Sequence, residues 1–139
     1  MRAATILAAC ATFATWGLVH GENFDRLSDA DRAAFAERFE KEVWPMLSKG
    51  GKESCIGCHA VGKNNVTTLR FSGDARKDYA KILKEGYLIK GDAGSVLERI
   101  KTTRADRKMP PGKRDRVPAE EIQILERFIN DMDAKQAKK

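Results

Sequence analysis

Two cysteines three residues apart, followed at once by a histidine, constrain this chain more than any other feature of its sequence. They stand in the run Cys55-Ile56-Gly57-Cys58-His59, near the middle of a 139-residue chain. Residues three apart on a helical turn point to the same side. The run therefore predicts a short helical turn within residues 53–61 that presents two thiols and an imidazole toward one common group.

The pattern C-x-x-C-H is typical of the attachment site of a c-type haem. Cys55 and Cys58 can each add to one of the two vinyl groups along one haem edge, and His59 then offers an imidazole nitrogen to the iron. Gly57 keeps the inner side of the turn free of a side chain where the macrocycle must lie close. The sequence thus predicts one covalently attached haem c, held by Cys55, Cys58 and His59.

Three other uses of these cysteines stay open, although the haem is favoured over each of them. A structural zinc site needs four nitrogen or sulfur ligands, and outside the run the only other histidine is His20. A thioredoxin-like redox pair would be expected in a βαβ setting, which the sequence does not predict. A plain disulfide between Cys55 and Cys58 would leave His59 unexplained.

The N-terminal residues 1–21 have the pattern of a secretory signal peptide. Met1 and Arg2 give a short positive start, and residues 3–19 follow without a charged side chain. An uncleaved membrane anchor is the alternative, since this stretch approaches the shortest membrane span, and a lipoprotein signal would make Cys10 a lipid attachment site. We expect a periplasmic or otherwise extracytoplasmic protein, with membrane contact only if the leader is retained or lipidated.

The charge balance of the chain limits the kinds of partner that it can be expected to bind. The full sequence carries a formal net charge of +6, and removal of residues 1–21 takes away only one basic residue, which leaves +5. A basic surface can serve solubility or can steer the protein toward an acidic partner face. Because export separates the protein from nucleic acid, we do not expect nucleic acid as a partner. We expect redox partner proteins instead, and these could dock through an acidic face.

Apolar side chains at helical spacing predict an all-α mature domain over residues 22–133, followed by a flexible Lys-rich tail over residues 134–139. Ser28 is expected to cap the first helix, and Pro45 to end or kink it near Trp44. The apolar stripe of this helix consists of Phe35, Phe39, Val43 and Leu47. Further helices are expected over residues 74–85, 93–101 and 118–133. Residues 66–71 have extended character, but no later segment offers a strand to pair with them.

A methionine in a charged loop is the expected second iron ligand. Of the three methionines in the mature chain, Met46 and Met132 fall on apolar helical stripes, where core packing is the default role. Met109 instead precedes Pro110 and Pro111, which bias it toward an extended backbone outside any helix. Its thioether is therefore suited to projecting from a fixed point toward iron. The alternative is that Met109 is an incidental loop methionine with no role as a ligand.

The sequence resembles the class I, single-haem cytochromes c, and most closely the planctomycete-type cytochrome c domain, over roughly residues 40 to 131. The resemblance is carried by Val43-Trp44-Pro45-Met46-Leu47, Cys55 to His59, Gly91-Asp92, Ser95-Val96-Leu97, Lys108-Met109-Pro110-Pro111-Gly112, Ala119-Glu120-Glu121-Ile122 and Phe128-Ile129. It implies a small cytochrome c fold of about four to five helices wrapped around one covalently bound haem. It also implies that the first and last helices cross and that His59 and Met109 are the axial iron ligands.

An iron with both axial positions filled by protein side chains has no open site for a substrate. We therefore expect an electron carrier that shuttles single electrons between redox partners, not an enzyme. Two alternatives stay open: a haem-bearing subunit of one dedicated dehydrogenase, and a haem enzyme or gas sensor if Met109 does not ligate iron. Basic residues that flank the ligand segments are expected near the docking face: Lys52, Lys63, Arg107, Lys108, Lys113 and Arg114.

Overall fold

The computed structural model describes residues 27–49, 55–62, 69–111 and 117–138. Its helical elements are α1 (Asp29–Arg38), a π-helical turn (Phe39–Val43), α2 (Trp44–Ser48), α3 (Cys55–His59), α4 (Ala75–Lys84), α5 (Val96–Lys101) and α6 (Ala119–Gln136). No strand occurs within these ranges. Because the first three elements form one continuous run, there are five helical segments, and the predicted all-α class is confirmed.

Several predictions fall on residues that lie outside the described ranges. These are the signal peptide over residues 1–21 with Cys10 and His20, and four of the six basic residues, Lys52, Lys63, Lys113 and Arg114. In the part of the chain that is described, no helix is long and apolar enough to cross a membrane.

The first helix begins where the sequence predicts. The Ser28 hydroxyl accepts a 3.0 Å hydrogen bond from the Asp31 backbone amide. This bond satisfies one of the first-turn amides that have no acceptor within the helix. Asp29 and Asp31 both lie in the first turn, where the helix dipole favours negative side chains. Local chemistry alone is sufficient to fix this boundary.

Pro45 was predicted to end or kink the helix near Trp44, and it does not end the helical run. The run widens into the π-helical turn, in which the Trp44 amide donates to the Phe39 carbonyl five residues back, and helix then continues through Pro45 to Ser48. Proline has no amide hydrogen, and its ring clashes with the carbonyl four residues earlier in a regular α-helix. A wider turn just before Pro45 gives room for the ring without ending the helix.

The π-helical turn also explains how a stripe with a strict spacing of four stays on one face. In a regular α-helix each step of four residues drifts by about 40° around the axis, and a turn with more residues reduces that drift. The four stripe residues are all buried: Phe35, Phe39, Val43 and Leu47.

Aromatic rings from three helical segments form the centre of the core. Phe128 of α6 lies edge-on to Phe35 of α1, with 5.6 Å between ring centroids, and 6.0 Å from Phe39. Tyr79 of α4 lies 5.2 Å from Phe39. At the rim, Arg38 of α1 donates to Asp131 of α6 at 3.0 Å. The first and last described helices therefore pack on each other, and α4 packs against the same rings.

The boundaries of α4 agree with the prediction, whereas those of the next two helices differ. Helix α5 starts at Val96 and not at residue 93, because the Asp92 carboxylate accepts the Gly94 amide at 2.6 Å and Ser95 caps the helix instead. Helix α6 starts one residue after Pro118 and continues to Gln136, past the expected end at residue 133. Lys135 in this last turn pairs with Asp31 at 3.3 Å.

Candidate functional site

The cysteine-histidine run forms a single helical turn, as predicted, and lies at the margin of the core. Cys55, Cys58 and His59 are all half-buried on α3. Cys55 and Ile56 pack against the buried core, and α3 contacts α2. The structure thus brings the three predicted site residues together on one short, well-supported element.

The two sulfurs are not joined in a disulfide. Burial is the largest influence on the Cys55 thiol and raises its pKa, although a backbone hydrogen bond acts in the opposite direction. Redox-active C-x-x-C pairs rely on the opposite shift, a lowered pKa that supplies thiolate at neutral pH. The raised pKa of Cys55 does not favour a redox-active dithiol.

The His59 ring is fixed by a main-chain carbonyl. Its Nδ1 atom lies 2.7 Å from the carbonyl oxygen of Leu69. Because a carbonyl can only accept a hydrogen bond, Nδ1 is the donor, and in the neutral ring Nε2 then keeps its lone pair. Histidines that bind metals characteristically donate their other ring N–H to a carbonyl or carboxylate in this way, which fixes the tautomer and the ring orientation.

The residues around Leu69 also bind the main chain of His59. The Phe71 amide donates to the His59 carbonyl at 2.7 Å, and the Val61 amide donates to the Phe71 carbonyl at 2.9 Å. These bonds make an isolated parallel bridge between Ala60 and Phe71 without forming a sheet. The Phe71 ring centroid also lies 6.1 Å from that of His59. Residues 69–71 therefore support His59 on both its side chain and its main chain.

Met109 lies on a separate element, in the loop that follows α5, and its side chain is half-buried. Its backbone amide donates to the Arg99 carbonyl at 2.7 Å. The preceding residues form a turn in which the Lys108 amide donates to the Arg104 carbonyl at 2.9 Å. The loop that carries Met109 is thus folded back on α5, outside any helix, as the sequence predicts.

Two residues of α4 support the site, although sequence reasoning did not single them out. Asp78 is 1% exposed and accepts hydrogen bonds from the Ser72 and Gly73 amides, and Lys81 donates from Nζ to the Arg70 carbonyl at 2.8 Å. We refer to Asp78 and Lys81 together as the α4 clamp. The signal that could have found Asp78 is its spacing, because an acidic residue four before Ile82 stands on the buried face of an amphipathic helix.

Two of the six expected surface cations lie in the described ranges. The Arg107 side chain is exposed and lies 3.8 Å from the Asp106 carboxylate, and Lys108 is half-buried. Within the same ranges, no three His, Cys, Asp or Glu side chains gather as a group that could hold a metal ion.

Comparisons with family models, with characterised proteins and with solved structures found no match to this chain. The resemblance to the class I cytochromes c therefore rests on the motifs of the sequence.

Proposed function

We propose that this chain is an exported c-type cytochrome that transfers single electrons between partner proteins. Cys55 and Cys58 would hold one haem c through thioether bonds. His59 Nε2 and the Met109 sulfur would fill the two axial positions of its iron. The bound group would supply a one-electron redox couple.

The observation that carries this proposal is the geometry of His59. The motif alone predicts the attachment of a haem, but it says nothing of the state of the imidazole. When Nδ1 is held by the Leu69 carbonyl at 2.7 Å, Nε2 keeps a lone pair with which it can bind a metal. The same α3 turn presents both thiols, so attachment and ligation fit one element.

A carrier function is favoured over a haem enzyme by the way Met109 is held. Its backbone is fixed by the bond to Arg99, and Pro110 and Pro111 directly follow it. A thioether on such a support suits a permanent ligand. With both axial positions filled by protein, no open position would be left for a substrate.

The first experiment tests covalent attachment. The full chain, expressed where the haem-ligation machinery operates, should stay coloured after acid–acetone extraction. The double variant Cys55→Ala, Cys58→Ala should lose its colour in the extraction, while the control Cys10→Ala should keep it. A wild-type protein that comes out colourless would refute the proposal.

The second experiment tests the distal ligand by absorption spectra in both oxidation states. The methionine–iron charge-transfer band should vanish in Met109→Ala and persist in Met132→Leu, a core replacement of similar volume. An unchanged band in Met109→Ala would move the distal ligand elsewhere. Ready uptake of carbon monoxide by the reduced wild type would favour a haem enzyme or gas sensor, and co-purification with one larger redox enzyme would favour a dedicated subunit.

A further inference from the structure

We infer that the α4 clamp, Asp78 and Lys81, positions the imidazole of His59 and thereby sets how strongly it donates to iron. This inference rests on the proposed function, since it assigns two positioning residues to the same haem site. Neither residue touches His59. Both act through residues 69–73, the segment whose carbonyl the imidazole binds.

Asp78 holds the end of that segment with both carboxylate oxygens. Oδ1 accepts the Ser72 amide at 2.7 Å, and Oδ2 accepts the Gly73 amide at 3.0 Å. Gly73 has a φ of +94°, a conformation that glycine adopts without strain, and the turn there aims two successive amides at one carboxylate. A buried carboxylate is costly unless its oxygens are satisfied, so Asp78 and the segment fix each other.

Lys81 holds the same segment from the next turn of α4. It lies three residues after Asp78, on the same side of the helix. Its Nζ donates to the Arg70 carbonyl at 2.8 Å. The clamp thus grips residues 70, 72 and 73, which flank the two positions that contact His59.

Those two positions are Leu69, whose carbonyl accepts from His59 Nδ1, and Phe71, whose amide donates to the His59 carbonyl. A carbonyl held firmly on Nδ1 raises the basicity of a metal-binding imidazole. A more basic ligand stabilises the oxidised, more positive iron, which lowers the reduction potential. Loosening the α4 clamp should therefore raise the potential.

Charge effects must be separated from positioning, and the two clamp residues differ in sign. Removing the negative Asp78 would raise the potential through charge alone. Removing the positive Lys81 would lower it through charge alone, because a nearby cation favours the reduced state. Loss of positioning raises the potential in both cases, so Lys81→Met is the variant that discriminates between the two mechanisms.

The experiment compares each clamp variant with a matched control on the same helix. Lys81→Met is paired with Lys77→Met, since the Lys77 side chain is 78% exposed and pairs only weakly with Asp74, at 3.9 Å. Asp78→Asn is paired with Asp74→Asn, which keeps the helix cap. In the haem-loaded proteins, we would measure the reduction potential, and by NMR of the reduced form the solvent exchange of the His59 Nδ1 proton and of the Phe71 amide.

We expect both clamp variants to raise the reduction potential. Both controls should leave it unchanged, or shift it only in the direction that the loss of their charge predicts. Exchange of both protons should become about fivefold to tenfold faster in the clamp variants, the factor that corresponds to one net hydrogen bond. Exchange rates that match the controls, or a potential in Lys81→Met that falls as in Lys77→Met, would overturn the inference.

The outcomes also separate this inference from the proposed function. If Asp78→Asn does not fold, Lys81→Met decides alone, because Lys81 is only partly buried and its replacement leaves the two hydrogen bonds of Asp78 in place. A coloured wild type with clamp variants that behave like the controls refutes only the positioning role. A colourless wild type refutes the proposed function and the positioning role with it.

Discussion

The backbone N–H of Met109 donates a 2.7 Å hydrogen bond to the carbonyl oxygen of Arg99, near the end of α5. The last carbonyls of a helix have no partner within the helix itself. The bond satisfies one of these carbonyls and fixes the backbone at position 109 without involving the methionine side chain. Changes to that side chain should therefore leave the loop in place.

In the proposed haem protein, replacing Met109 by histidine, Met109→His, should change the distal iron ligand and keep the fold. A thioether ligand raises the reduction potential relative to a second imidazole, so the potential should fall. Redox titration measures this, and far-ultraviolet circular dichroism should show unchanged helix content. A variant that keeps both the methionine band and the wild-type potential would contradict the assignment of Met109 as a ligand.

The variant Ser95→Ala should weaken the support of Met109 from a distance. Ser95 caps α5 by accepting the Glu98 amide at 3.3 Å, and loss of such a cap costs about 1 kcal/mol. Because α5 supplies the Arg99 carbonyl, exchange of the Met109 amide should become faster. The control is Ser28→Ala, which removes the cap of α1 and should lower stability to a similar extent without affecting Met109. Equal exchange in both variants would count against the link.

Removing the central ring of the core, Phe128→Ala, should lower the free energy of unfolding by about 3–5 kcal/mol. Phe128 is fully buried and its ring lies within about 6 Å of those of Phe35 and Phe39. Urea denaturation of the haem-loaded protein measures the loss. The control is Val61→Ala, at a side chain that is 67% exposed, where a change within about 0.5 kcal/mol is expected.

The Tyr79 hydroxyl is buried and has no hydrogen-bond partner among the described residues. An unsatisfied buried hydroxyl costs about 1–3 kcal/mol. The variant Tyr79→Phe removes the hydroxyl and keeps the ring against Phe39, so it should raise the free energy of unfolding at neutral pH by about 1 kcal/mol. A loss of stability in urea denaturation would show that the hydroxyl has a stabilising partner.

Tyr79 should also make the fold sensitive to alkali. Burial raises the pKa of Tyr79 from its ordinary value of 10.0 to about 12. Between these values the unfolded chain loses the phenol proton first, so stability is full below pH 10 and falls as pH rises, by up to about 2 kcal/mol near pH 12. Tyr79→Phe should be less sensitive to alkali than wild type. The control Tyr87→Phe, at the only other tyrosine, should retain the wild-type slope.

Local signals in the sequence were sufficient for much of the fold. The cap at Ser28 predicted the start of α1, and the apolar stripes predicted α1 and α4, because each signal depends on a few neighbouring residues. The start of α5 was missed because Ala93 favours a helix, whereas in the structure Asp92 accepts the Gly94 amide and Ser95 caps the helix.

The site was predicted less completely than the fold. The motif predicted the turn that joins Cys55, Cys58 and His59, since its spacing alone places them together. The Leu69 carbonyl was missed, because a main-chain acceptor has no side-chain signature in a sequence. Asp78 was missed because an acidic residue on a helix is usually exposed, and only tertiary structure brings the Ser72 and Gly73 amides to it.

The π-helical turn over Phe39–Val43 sets the angle around the helix axis between the side chains of α1 and those of α2. Without it, the same residues wound as a regular α-helix would drift by about 40° around the axis at the step from Phe39 to Val43. Val43 and Leu47 would then turn away from the face on which Phe35 packs against Phe128. The length of this one turn therefore helps to keep Met46 and Leu47 of α2 buried in the same core as Phe35.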